Sequence, residues 1–64
     1  MSMVGHLEPG KLVAIFTSMG SRYVGRVVSV GKERGKDFVI LSLGDSFRPV
    51  KLLDNDVSIV NELD

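Results

Sequence analysis

Apolar and polar positions alternate most regularly between Arg22 and Val30. Val24, Arg26, Val28 and Val30 fall on one face, and Tyr23, Gly25, Val27 and Ser29 on the other, the period of two of a pleated strand. Glycine weakens a flat strand, so Gly25 in the middle of this run marks a sharp bend or the close approach of another backbone. A long central strand bent at a glycine lets a five-stranded sheet of this size close into a small barrel. The hydrophobic pattern supplies the other four strands. Lys11 to Thr17 is β-branched and apolar on both faces, which calls for cover on both. Val13 and Ile15 are expected inside, with Leu12, Ala14 and Phe16 opposite, or the reverse. Asp37 to Leu43, Phe47 to Leu53 and Val57 to Val60 complete the set.

Polar and turn-forming residues punctuate these runs. Glu8-Pro9-Gly10 ends an irregular N-terminal stretch in which at most one helical turn fits. Ser18 to Ser21 turns the chain into the central strand, and Gly31 to Lys36 reads as a charged hairpin loop. Gly44-Asp45-Ser46 makes the next turn. Pro49, which has no N–H to donate, marks the fourth strand as an edge or a bulge. Asp54-Asn55-Asp56 reads as a tight or 3₁₀ turn. The predicted fold is all-β, one domain over residues 1–64, a small and strongly bent five-stranded antiparallel barrel with an N-terminal helix short or absent.

Composition adds constraints. A 64-residue chain buries only about 60% of its unfolded surface. With 44% hydrophobic residues and a mean hydropathy of +0.20, the chain is too apolar for disorder and carries more apolar surface than one small core hides. There is no cysteine to staple the fold, so burial between subunits is the remaining common remedy. Nothing in Met1 to Gly10 resembles a signal peptide and no run is long enough for a membrane span, so a cytoplasmic location is expected. The eight basic and eight acidic residues balance, but unevenly. From Arg22 to Lys51 there are seven basic residues against three acidic ones, while beyond Leu52 four acids stand with no base. An anionic ligand at one place and head-to-tail association at another both fit this asymmetry, as does an ordinary solvated surface.

The succession Gly20-x-x-Tyr23-x-Gly25-x-Val27 resembles the first half of the first Sm motif: turn glycine, aromatic, bend glycine, aliphatic. Val50 to Val60 is similar in pattern to the second, a hydrophobic strand, a three-residue polar turn and a short hydrophobic strand. The similarity covers Lys11 to Val60. It implies an Sm-like, SH3-type barrel that assembles into a homo-oligomeric ring of about five to seven subunits, the fourth strand of one subunit pairing with the fifth of the next. Leu12, Phe16, Val50, Leu52, Leu53, Val57, Ile59 and Val60 are then the candidate interface.

Members of that family bind single-stranded RNA, often uridine-rich, at the inner rim of the ring. The family's base-reading residues do not recur here: Gly31 to Lys36 occupies the first reading loop, and Leu53-Asp54 stands where an arginine-glycine pair is usual. A basic loop remains. Lys32, Arg34 and Lys36 are candidates for phosphates, Arg34 also for stacking through its guanidinium plane, and Asn55 for a base edge. The alternatives are a structural ring without RNA and a monomeric SH3-like or Tudor-like protein-interaction module, although the four aromatics, Phe16, Tyr23, Phe38 and Phe47, all lie in expected strands. No catalytic constellation, metal-ligand set or cofactor motif is present. Asp54 and Asp56 alone offer a weak cation site, and the lone His6 is read as a surface residue.

Overall fold

A computed structural model describes residues 2–45 and 47–64. The chain is all-β. β1 (Leu12–Thr17), β2 (Arg22–Glu33), β3 (Lys36–Ser42), β4 (Val50–Leu53) and β5 (Val57–Glu62) form one antiparallel sheet in the order β4-β3-β2-β1-β5. No ladder joins β4 to β5 among the described residues. These two edge strands are nevertheless linked by the 3₁₀ turn Asp54–Asp56 alone. Four strand spacings separate the edges of a flat sheet by about 19 Å, whereas three 3₁₀ residues span about 6 Å, so the sheet must curl to bring its edges toward each other.

The core lies inside the curl. Val13, Ile15, Val39 and Leu41 are fully buried, joined by Val27, Leu52 and Val57. Of the two orientations open for β1, the structure takes the one with Val13 and Ile15 inward. Among the described residues the N-terminal stretch forms no helix; it is a turn closed by the Leu7 amide donating to the Val4 carbonyl at 3.1 Å. Its Val4 and Leu7 enter the same core, so this stretch caps the apolar interior that the strands leave open. Each such side chain contributes roughly 1.5–3 kcal/mol by leaving water.

β2 shows where pattern and structure part. Tyr23, Gly25 and Val27 face inward as a period of two requires, and Val24 and Val28 are about half exposed. The register against β3 then slips: Val27 lies opposite Leu41, but Ser29 opposite Ile40. The extra residue is Val28, and this bulge inverts the alternation beyond it. Val30, expected on the face of Val24, packs on the core instead. Gly25 does serve a close approach, since a Cβ there would overlap the Ser42 carbonyl oxygen.

Several boundaries differ from expectation. β2 and β3 run three and one residues further into the presumed Gly31–Lys36 loop, reducing it to the two-residue turn Arg34-Gly35. Both residues have positive φ, 53° and 80°, the signature of a type I′ hairpin, whose twist matches that of the strands it joins. β4 is shorter than Phe47 to Leu53: Pro49 precedes the strand and Phe47 lies outside it, 66% exposed. The turn expected at Gly44-Asp45-Ser46 lies partly outside the described residues. β5 continues to Glu62.

Candidate nucleic-acid interface

The β2–β3 hairpin and the 3₁₀ turn stand side by side because Phe38 of β3 pairs with Leu53 of β4, the residue just before Asp54. Between them is an open cleft of about 270 Å³ lined by Ser2, Gly35, Lys36, Asp37, Asp54 and Asn55. Two of the four residues expected to hold nucleic acid, Lys36 and Asn55, therefore share one wall space. Arg34 projects from the adjoining turn, exposed and without an ion-pair partner among the described residues.

Lys32 is drawn elsewhere. It stands opposite Asp37 across the ladder, with Nζ 3.8 Å from Oδ1. Glu33 accepts from Lys51 Nζ at 2.7 Å, and the same ammonium sits 4.6 Å from the centre of the Phe38 ring. Phe38 in turn lies over Gly31, where a Cβ would overlap the ring. The hairpin is thus laced by pairs of opposite sign. With Asp37 and Asp54 in the cleft wall, the site presents mixed charge in which Arg34 and Lys36 are the cations left to meet an anion.

Asp54 has a structural task that its place in the sequence does not advertise. Its Oδ1 accepts from the Met3 amide at 2.6 Å, the Val4 amide at 3.0 Å and the Ser2 hydroxyl at 3.3 Å. Ser2 Oγ also accepts from the Gly5 amide at 2.8 Å. These bonds fasten the N-terminal turn across the mouth of the core. A Ser-x-x-Gly near a chain start and an isolated aspartate fifty residues away give no mutual signal in sequence.

The candidate interface residues fall into two groups. Leu52 and Val57 are core side chains, 8% and 7% exposed. Val50, Leu53 and Val60 are partly buried, and Ile59 is 51% exposed. Leu12 and Phe16 are partly buried on the outer face of β1, Phe16 directly opposite Ile59. Among the described residues, β4 and β5 each pair with a neighbour on one side only. His6 is exposed, its Nε2 3.7 Å from Glu62 Oε2.

Among the described residues, no helix is long and apolar enough to cross a membrane. Compared with known proteins, the chain matches no family model, no curated protein and no solved structure.

Proposed function

We propose that the chain is an Sm-like barrel whose work is assembly into a homo-oligomeric ring, β4 of one subunit adding to β5 of the next. The observation that carries this reading is the sheet order: β4 and β5 are the two edges, each unpaired on its outer side among the described residues. The curl imposed by the three-residue link supports closure into a barrel. Unpaired edges are templates for strand addition, and a contact between two different edges closes into a ring when the rotation between subunits permits. Val50 and Leu53 on one edge and Ile59 and Val60 on the other supply apolar cover for the joint. Light scattering or native mass spectrometry tests it. The expected species is a closed oligomer of about five to seven subunits, reduced to monomer by Ile59→Glu. A wild-type monomer at all concentrations removes the ring and leaves the monomeric interaction module.

A second element of the reading is single-stranded RNA at the hairpin, favoured by the placement of Lys36 and Asn55 in one cleft beside Arg34. Phosphate contacts by few cations give weak binding whose loss with salt scales with the number of contacts. Replacing Arg34 and Lys36 by glutamate abolishes retention of a single-stranded oligonucleotide at low salt. If wild type shows no such retention, the ring is structural.

A further inference from the structure

The apolar residues of β1 that do not enter the core are gathered on its other face. Across the ladders, Leu12, Ala14 and Phe16 stand opposite Arg26, Val24 and Arg22 of β2, and Ala14 and Phe16 stand opposite Asn61 and Ile59 of β5. The Leu63 amide donates to the Leu12 carbonyl at 2.8 Å, which lengthens that ladder by one row. Cross-strand partners share a face, so the outer side of β2-β1-β5 carries three rows of three side chains. Six of these are apolar: the three of β1 with Val24, Ile59 and Leu63. None of the six belongs to the core cluster or packs on it, and Val24, Ile59 and Leu63 are about half exposed.

A strand apolar on both faces is normally covered on both, and among the described residues only the inner cover is present. Val4 and Leu7 of the N-terminal stretch enter the core, and a strand added beside β5 extends the sheet in its own plane, so ring formation leaves this face open. Ala14, the smallest of the six, lies between Leu12 and Phe16 at the centre, a dip of the kind that takes one side chain of a facing helix. At the Leu12 end the face runs into an open cleft of about 330 Å³ whose walls include Leu12, Val24, Leu43 and Gly44.

Physical limits select the occupant. An extended segment laid over a sheet face buries amides and carbonyls without partners, whereas a helix bonds them internally. Three strands by three two-residue repeats make a face of about 300 Å², well below the roughly 800 Å² per partner of a standard stable interface. A second copy packed face to face gains too little, and the curl of the sheet makes both faces convex. A helix about 10 Å across matches the distance of about 10 Å from β2 to β5, and a contact of this size suits a weak, transient partner. Charge marks one flank. Arg22 has no ion-pair partner among the described residues, and Arg26 hydrogen-bonds through Nη1 alone, to the Gly10 carbonyl at 3.0 Å and Asp64 Oδ2 at 2.9 Å. Their backbones are about 14 Å apart along β2, which side chains two helical turns apart, about 11 Å, can meet.

We propose that the outer face of β2-β1-β5 docks an amphipathic helix of a partner protein, laid along the strands with its apolar stripe on β1 and two acidic residues, seven apart, facing Arg22 and Arg26. The stripe presents apolar residues at i, i+4 and i+7, the spacing of helix recognition by an apolar surface. One of them seats over Ala14 and another reaches the cleft beside Leu12 and Leu43.

The test uses the native protein at low salt and the blocked peptide acetyl-Glu-Leu-Ala-Lys-Ala-Leu-Lys-Glu-Leu-Ala-Lys-Ala-Ala-Lys-amide, followed by amide chemical shifts. Saturable shifts are expected at Leu12, Ala14, Phe16, Val24 and Leu43. A peptide of the same composition with its leucines spread around the helix does not bind, nor does one with proline as its seventh residue, which breaks the helix. Arg22→Glu weakens binding about fivefold, and a peptide with both glutamates changed to lysine binds this variant better than it binds wild type. Val24→Lys abolishes the shifts while the rest of the amide spectrum stays that of the folded protein. The proposal is overturned if no shifts arise up to about 5 mM peptide, if the peptide with spread leucines binds equally, if charge reversal has no effect, or if the shifts fall on β3 and β4. Changes at Ala14 and Val24 on dilution of the protein alone, without changes at β4, overturn it too, since a second copy then covers the face. None of these outcomes depends on whether the ring forms.

Discussion

The carboxylate of Asp54 accepts the backbone amide of Val4 at 3.0 Å, joining the start of the chain to the turn between the two edge strands. That bond and its companion from Met3 hold Val4 in the core, where it is fully buried. Asp54→Ala leaves two part-buried amides without a partner, at a cost of about 1–3 kcal/mol. The expected result is a lower urea midpoint and faster hydrogen exchange at Val4 than at the β1 amides. Asp54→Asn keeps a neutral acceptor and loses less. Equal exchange rates in wild type and Asp54→Ala refute the anchoring role.

Gly25 and Gly31 are both glycines under a neighbour, but the neighbours differ in hardness. Over Gly25 stands a backbone carbonyl, that of Ser42, and over Gly31 an aromatic side chain, that of Phe38. A ring can tilt, and a strand held by a ladder cannot move without breaking it. Gly25→Ala is expected to cost about 2–3 kcal/mol, and Gly31→Ala about half of that. Chemical denaturation of the two variants decides it, and a larger loss at Gly31 sinks the argument.

These particulars mark where local pattern is legible and where it is not. That β1 is a strand was readable, but not which face turns inward: with Leu12, Ala14 and Phe16 as apolar as Val13 and Ile15, alternation offers no contrast to read. Gly25 was readable because a glycine in a β-branched run needs a tertiary reason. The bulge at Val28 was not, since a valine carries no sign that its partner strand is one residue short. The hairpin was read too long because arginine is a poor occupant of the left-handed region and Asn-Gly is the usual signal. At the candidate site, residue identity gave the cations Lys32, Arg34 and Lys36. Cross-strand register, invisible locally, spends Lys32 on Asp37 and places Lys36 with Asn55. Phe47, read as a strand residue, lies outside β4 because Pro49 cannot donate to a ladder.

Arg34 occupies φ 53°, which costs a residue with a Cβ more than it costs asparagine. Arg34→Asn produces the favoured Asn-Gly turn and is expected to raise stability by about 0.5–1 kcal/mol. If the hairpin binds single-stranded RNA, the same substitution lowers affinity and flattens its salt dependence. Stability and binding then move in opposite directions, a split that separates a strained functional arginine from a residue of no consequence. A stability loss on Arg34→Asn contradicts the strain.

Asp64 supplies a pH-dependent clasp. Its carboxylate accepts first from the Leu12 amide, at 2.8 Å, and then from Arg26 Nη1, at 2.9 Å, and both hold its pKa below the ordinary carboxylate value, with Lys11 adding a weaker pull. A lowered pKa in the folded state means that the folded protein favours the ionised form. The stabilisation is therefore fully present above the ordinary value, about 4, and is lost as pH falls through the lowered one. An NMR titration is expected to show the Leu12 amide and the Asp64 carboxyl moving together, with a midpoint below that of an unpaired aspartate. Asp64→Asn removes that step. Wild type and Asp64→Asn differ in unfolding midpoint at neutral pH and converge as pH falls through the lowered pKa. Because the pair is solvent-exposed, about 0.5 M salt weakens the Arg26 contribution while sparing the Leu12 hydrogen bond. A Leu12 amide that does not respond to the titration of Asp64 shows that the clasp does not form.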